Sequence, residues 1–112
     1  MPQISSAIGG AWLKGKRNIL GSSSLVIDTK ALTSFTSLDY VITARKDDKT
    51  EIRSLYLRVV QEGGSLKSSV HGKLGTLKMQ VNEAIAGSNL ELTIVNQETY
   101  DIEVTFARLI LG

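Results

Sequence analysis

The sequence predicts an all-β domain, an antiparallel β-sandwich of about seven strands with a jelly-roll or immunoglobulin-like arrangement. The first observation behind this prediction is that apolar and polar residues alternate with a period of two from Leu25 onward, the pattern of strands that bury one face. The second is that turn-forming residues recur about every 8 to 12 positions, the spacing of short strands in sandwiches and barrels. The single proline, Pro2, interrupts none of these strands.

Residues 1–21 lack this alternation and contain four glycines. Each glycine inside a helix costs about 1 kcal/mol relative to alanine, so a helix here would be weak. The pattern favours an irregular, extended arm that is partly anchored to the domain. We therefore divide the chain into a glycine-rich N-terminal arm, 1–21, and a single β-sandwich domain, 22–112.

The strands of that domain are defined by their alternation. In chain order they lie at 25–28, 38–45, 52–60, 77–81, 90–94 and 100–110, with turn signals at 47–49, 63–65, 72–75, 87–89 and 96–98. The stretch 52–60 is apolar on both faces, which indicates a central strand covered on both sides. The last strand has the clearest pattern, and Arg108 is its one break. The residues expected in the core include Leu57, Tyr100, Val104 and Phe106.

Composition excludes several classes of protein. The 112 residues include no cysteine, which rules out disulfides, thiolate nucleophiles and thiolate metal ligands. The 13 Lys and Arg against 11 Asp and Glu leave a net charge of +2, spread along the chain, which argues against a dedicated nucleic-acid binder. The longest apolar run is far below the about 20 residues of a membrane span, and the N-terminus lacks a signal-peptide pattern. We therefore expect a protein that is made in the cytoplasm, without membrane insertion.

One motif comes close to a nucleotide site. Gly10, Gly15 and Lys16 have the spacing of a phosphate-binding loop, whose backbone amides cradle phosphates while the lysine neutralises them. Arg17, however, stands where Ser or Thr should bind magnesium, and too few residues precede Gly10 for the buried strand that the motif requires. The sequence therefore predicts no nucleotide site.

No catalytic or metal-binding pattern is visible. His71 is the only histidine and follows a predicted strand, so we expect a turn or packing role for it rather than a catalytic one. The acids Asp47, Asp48 and Glu51 cluster at a predicted hairpin tip, where a solvated turn is a better interpretation than an acid–base pair. We therefore predict no catalytic residue, no cofactor and no metal, and a protein that is not an enzyme.

The arm carries the one basic and aromatic patch, Lys14, Lys16 and Arg17 beside Trp12. Such patches neutralise phosphates and stack bases, but three charges give little affinity for nucleic acid. The preferred interpretation is that the apolar residues of the arm dock on the domain or on a neighbouring copy, so that the arm serves assembly. The candidate assembly residues are Ile8, Trp12, Leu13, Ile19 and Leu20.

The region 25–111 resembles a known family. The segments LVID at 25–28, FTSLDYVITA at 35–44 and SLYLRVVQ at 54–61, followed by VHG at 70–72, LKMQV at 77–81 and NLELT at 89–93, are similar to small β-sandwich domains in fibre and neck-appendage proteins of marine tailed phages. Ser54, Val60 and His71 depart from the glutamate, histidine and tyrosine that this family often has there. We therefore carry over only the fold and the role of a structural component of the virion.

Three function classes follow. The resemblance implies a non-enzymatic structural protein of the phage virion, a fibre or appendage subunit that forms a homo-oligomer, preferably a trimer, and contacts other virion proteins. The alternative is a carbohydrate or surface-binding module with a host-surface glycan as its partner, although Tyr40, Tyr56 and Tyr100 lie among aliphatic residues and are expected in the core. The third is a small hydrolase, for which the sequence lacks the polar residues.

Overall fold

The computed structural model describes residues 12–112, and for Trp12 its backbone alone. The predictions made for residues 1–11, including those for Ile8 and Gly10, lie outside the described residues. In chain order the strands are β1 Trp12–Ile19, β2 Ser24–Ala31, β3 Ser37–Lys46, β4 Ile52–Glu62, β5 Ser65–Gly75, β6 Met79–Ala86, β7 Asn89–Asn96 and β8 Ile102–Ile110. A short 3-10 helix, Leu32–Ser34, joins β2 to β3.

The strands form two antiparallel sheets that enclose one core. The larger sheet has five strands in the order β1-β8-β3-β4-β5, and the smaller has three in the order β2-β7-β6. This arrangement confirms the predicted antiparallel β-sandwich, with eight strands instead of about seven. Among residues 12–112 there is no helix long and apolar enough to cross a bilayer.

The strand β1 corrects one prediction, because part of the expected irregular arm is regular sheet. Residues Trp12 to Ile19 pair continuously with β8, from Trp12 opposite Leu109 to Ile19 opposite Ile102. The Ile19 side chain is only 2% exposed and belongs to the core. Gly15, which weakens a helix, suits this strand because a side chain there would overlap the Phe106 ring. Residues 12–19 therefore contribute to the fold and do not serve assembly alone.

The core follows the predicted alternation in most strands. Leu57, Val104 and Phe106 are all at most 4% exposed, which confirms their predicted burial. Tyr100 lies at the margin, half-buried and packed against the core cluster. The prediction that 52–60 is covered on both faces is wrong, because Tyr56 is 55% exposed and the eight described strands form no further layer on that side of the larger sheet.

The segment 72–75, predicted as a turn, is instead part of β5. The pairing between β4 and β5 shifts between Ser54 and Tyr56, so β5 carries an extra residue there. Gly72 lies beside this β-bulge with φ of 59°, a left-handed conformation that glycine adopts without strain. The bulge lets one long edge strand continue where the sequence indicates a chain reversal.

Candidate functional site

A buried polar cluster joins the two sheets. Asp28 on β2 accepts hydrogen bonds from Arg108 Nη1 on β8 at 3.0 and 2.9 Å, and from the Tyr40 hydroxyl on β3 at 2.7 Å. Asp28 and Arg108 are 7% and 8% exposed, and Tyr40 is fully buried. Burial and the neighbouring carboxylate raise the pKa of Tyr40 far above its usual range. The cluster is a neutralised contact between sheets, and its tyrosine is held in the protonated form.

Sequence reasoning missed this cluster, although one signal was available. Arg108 breaks the apolar phase of β8, and a charged residue on a buried phase requires a buried partner of opposite charge. The partner cannot be found from the sequence, because Asp28 lies 80 positions away on the other sheet.

The most accessible candidate site is the outer face, by which we mean the side of the five-stranded sheet that turns away from the three-stranded sheet. Cross-strand pairing places one row of residues across all five strands of this face. The row consists of Lys14, Ala107, Val41, Tyr56 and His71. It spans about 19 Å, four intervals of about 4.8 Å each.

Two hollows lie on the outer face. The larger, of about 500 Å³, has Val41, Thr43, Thr105 and Ala107 among its lining residues, with Lys14 and Lys16 along the β1 side. The smaller hollow, of about 310 Å³, is lined by Asp39, Tyr56, Leu57, Arg58 and His71. The Tyr56 side chain, exposed over half of its surface, contributes to the smaller hollow and pairs with Val41 of the larger one.

Ion pairs fix the polar groups of the outer face. Arg58 donates from Nε and Nη2 to the two carboxylate oxygens of Asp39 at 2.7 and 2.8 Å, and this fork lowers the pKa of Asp39. Arg45 donates from Nε to Glu103 at 2.9 Å, and Lys16 Nζ lies 3.2 Å from the same carboxylate. The Arg45 hydrogen bonds are the main reason that the pKa of Glu103 is lowered. Both carboxylates are therefore ionised near neutral pH.

The outer face offers hydrogen-bonding and charged groups together with an exposed aromatic ring. Within residues 12–112, no three His, Cys, Asp or Glu side chains gather in a way that could hold a metal ion. Of the residues in the range 12–112, His71 and Asp39 both line the smaller hollow of this face. Its exposed ring, paired charges and hydroxyl groups are the features of a surface that recognises a ligand.

The predicted assembly residues separate into three groups. Leu13 and Leu20 are 39% and 65% exposed, so their side chains are available to a partner. Ile19 is not available, because it fills the core of its own chain. The Ile8 position and the Trp12 side chain lie outside the described residues, so their assembly role stays a hypothesis.

The other predicted positions are also located. Gly15 and Lys16 lie within strand β1, where the extended backbone cannot wrap around a phosphate. Asp47, Asp48 and Glu51 flank the turn between β3 and β4 but do not form one site. Asp48 accepts hydrogen bonds from the Thr50 amide and hydroxyl at 3.0 and 2.6 Å, whereas Glu51 accepts from the Tyr100 hydroxyl at 2.8 Å.

Comparison with known proteins gives structural matches without a sequence family. No protein-family model matches the chain, and no curated protein matches it in sequence. The tailspike protein of Acinetobacter phage vB_ApiP_P1 is similar in structure, with a TM-score of 0.59 and 14% identity over 90% of this chain and 22% of the tailspike. This likeness shows a shared fold, and this chain spans about a fifth of the tailspike's length.

Two further tailspikes are more distant. That of Acinetobacter baumannii phage AM24 has a TM-score of 0.44 at 8% identity, over 89% of this chain and 26% of its own. The tailspike gp49 of Acinetobacter baumannii phage Fri1, a capsular polysaccharide depolymerase, has a TM-score of 0.44 at 12% identity, over 88% of this chain and 17% of its own. None of the three is a marine phage fibre or neck-appendage protein, so that part of the resemblance stays a prediction.

Proposed function

We propose that this chain is a non-enzymatic structural domain of a phage tail appendage, a component of the virion that assembles with copies of itself and with other virion proteins. The observation that carries the proposal is the fold, which matches part of a phage tailspike over 90% of this chain at a TM-score of 0.59. The resemblance of the region 25–111 to phage fibre and appendage domains supports the same role independently of the structure.

Exposed apolar side chains support self-assembly, with a trimer as the preferred oligomer. Strand β5 forms an edge of the larger sheet, and on it Val70 and Leu74 are 49% and 70% exposed. At the opposite edge of the same sheet, Leu13 on β1 and Leu20 directly after β1 are also exposed. Edge strands with apolar side chains are natural contact sites for further protein.

Two experiments test the proposal. Immunogold electron microscopy of particles from the phage that encodes the chain should label the tail, whereas labelling of the head alone or of no part of the particle contradicts a tail component. Incubation of the purified chain with bacterial capsular polysaccharide should release no new reducing ends, while a tailspike depolymerase run in parallel releases them. Release by the chain itself contradicts the non-enzymatic role.

A second function is favoured by one specific observation, the exposure of Tyr56. The sequence predicts a core position for this tyrosine, but its side chain is 55% exposed and lines the smaller hollow of the outer face. An exposed aromatic ring with polar groups around it is the arrangement on which sugar rings pack. We therefore also propose that the outer face binds a host-surface glycan, which a loss of glycan binding in Tyr56→Ala would support.

A further inference from the structure

We infer that the outer face binds an acidic polysaccharide, with a sugar ring packed on Tyr56 and sugar carboxylates held near Lys14 and Lys16. This inference rests on the proposed glycan-binding function and goes further, because it names the charge class of the ligand and the residues that select it.

Tyr56 supplies the apolar contact. Its side chain is 55% exposed and lies next to Gly72, where a side chain would only just touch the Tyr56 ring. The glycine therefore leaves space beside the ring on the β5 side. Aromatic rings that are held in place by a sheet bury ligand surface at low entropic cost, since only two side-chain torsions must be fixed.

The Asp39–Arg58 pair supplies hydrogen bonds of both kinds. The fork uses Arg58 Nε and Nη2, so the Nη1 group is free to donate, and each Asp39 oxygen can accept a further bond. Sugars carry hydroxyl groups on neighbouring carbons, which donate and accept at once. Thr43 and Ser54, whose hydroxyl groups lie 3.2 Å apart, extend this polar strip along the face.

The net positive charge of the outer face favours acidic polysaccharides over neutral ones. The strand register places five basic residues and three carboxylates on the outer face, which leaves an excess of two positive charges. They are Lys14, Lys16, Arg45, Arg58 and Lys67, and Asp39, Glu62 and Glu103. Lys14 makes no salt bridge with any carboxylate of residues 12–112, and it lines the larger hollow. Lys14 lies three strand intervals from Tyr56, about 14 Å, so a carboxylate on another sugar of the same chain reaches it when one sugar is bound at Tyr56.

The same charges disfavour two other occupants. Nucleic acid carries a phosphate at every residue, and the ionised Asp39 and Glu103 would repel it along the middle of the face. A second copy, packed outer face to outer face, would bring the same positive excess against itself. An acidic sugar chain is repelled by these two carboxylates as well, but its sugars carry hydroxyl groups that can bond to the Asp39–Arg58 pair, which the phosphate backbone of DNA lacks.

The test uses affinity gel electrophoresis with polygalacturonate, and with the same polymer after reduction of its carboxylates to alcohols. We expect the acidic polymer to retard the chain and the reduced polymer to bind at least about threefold more weakly. Tyr56→Ala should weaken binding about three- to tenfold, whereas Tyr56→Phe, which keeps the ring, should stay near the parent. Lys14→Gln should weaken binding about two- to fivefold.

Matched controls and the remaining outcomes decide between the proposals. Lys78→Gln makes the same charge change away from the outer face, and Ile85→Ala truncates an exposed apolar residue on β6, so both should bind like the parent. Equal binding of the reduced polymer overturns the acidic class but keeps glycan binding, and no binding of either polymer overturns both. Stronger retention of a single-stranded DNA overturns the sugar assignment. If Tyr56→Ala has a lower oligomeric mass than the parent, the outer face is an assembly surface, and the proposal of polysaccharide binding is overturned.

Discussion

Asp28 and Arg108 form an ion pair that crosses the interior from the smaller sheet to the larger one. Both Asp28 oxygens accept from Arg108 Nη1, and one of them also accepts from Tyr40. Arg108 Nε is buried and has no hydrogen-bond partner within the described range 12–112. The arginine therefore depends on this one carboxylate for compensation of its buried charge.

Removal of the carboxylate should destabilise the fold strongly. Asp28→Ala leaves a charged guanidinium and a tyrosine hydroxyl buried without their acceptor, and we expect a loss of about 3 to 5 kcal/mol in the free energy of unfolding. The exposed Asp39–Arg58 pair is the matched control, since Asp39→Ala should cost at most about 1 kcal/mol. Urea unfolding measures the stability of both variants. Equal losses of unfolding free energy would show that the buried pair contributes no more to stability than the exposed pair.

Truncation of Phe106 should open a large cavity in the core. The ring is 4% exposed, so Phe106→Ala should cost about 3 to 5 kcal/mol in urea unfolding. A variant that melts like the parent would show that the ring is not buried.

The contact between this ring and Gly15 provides a second, more specific check. A side chain at Gly15 would overlap the Phe106 ring, so Gly15→Ala should cost about 1 to 3 kcal/mol. In the double variant with Phe106→Leu, the loss of unfolding free energy should be smaller than the sum of the two single losses, because the smaller side chain removes the overlap. Simple additivity in the double-mutant cycle contradicts the contact.

The alternation of residues predicted those strands whose one face is buried. β7 alternates between buried and partly exposed residues along its whole length, β3 and β8 do so up to their last residues, and the sequence located all three. The edge strand β5 has no buried residue. The other edge strand, β1, has Gly15 and Arg17 where apolar core residues would be expected. Neither strand therefore shows an apolar period of two in its sequence. Their pairing is imposed by the neighbouring strand, which a local pattern does not contain.

The candidate site was less predictable than the fold for a related reason. Tyr56 lies between aliphatic residues, which indicates burial, and only the number of layers in the sandwich decides that its face is open. The partnership of Asp39 with Arg58 depends on the register between β3 and β4. Layer number and register are tertiary properties, so the sequence pattern leaves both undetermined.

Acid should weaken the contact at Glu103. Its pKa is lowered by Arg45, so the carboxylate adds stability above the unfolded-state pKa of about 4.3 and loses it as the pH falls through the lower folded-state value. The melting temperature of Glu103→Gln should therefore fall less than that of the parent between about pH 6 and pH 3. Arg45→Gln should flatten the profile in the same way. Identical profiles in all three proteins contradict this linkage.

Two deletions distinguish the segment before β1 from β1 itself. A variant that begins at Trp12 keeps all eight described strands and should retain cooperative thermal unfolding with a β-rich circular dichroism spectrum. A variant that begins at Ser22 loses β1, the buried Ile19 and the two carbonyls, of Ile19 and Leu20, that accept from Asn96 Nδ2. It should lose at least about 3 kcal/mol. Unfolding of the shorter deletion, or full stability of the longer one, would contradict the role assigned to β1.

The mass of the full chain in solution tests the central claim, that this domain assembles with copies of itself. Light scattering coupled to size-exclusion chromatography, repeated over a range of protein concentrations, measures this mass directly. One chain has a mass of 12.1 kDa, and the account predicts a particle of three times that mass that persists on dilution. A mass of one chain at every concentration would contradict the self-assembling structural role.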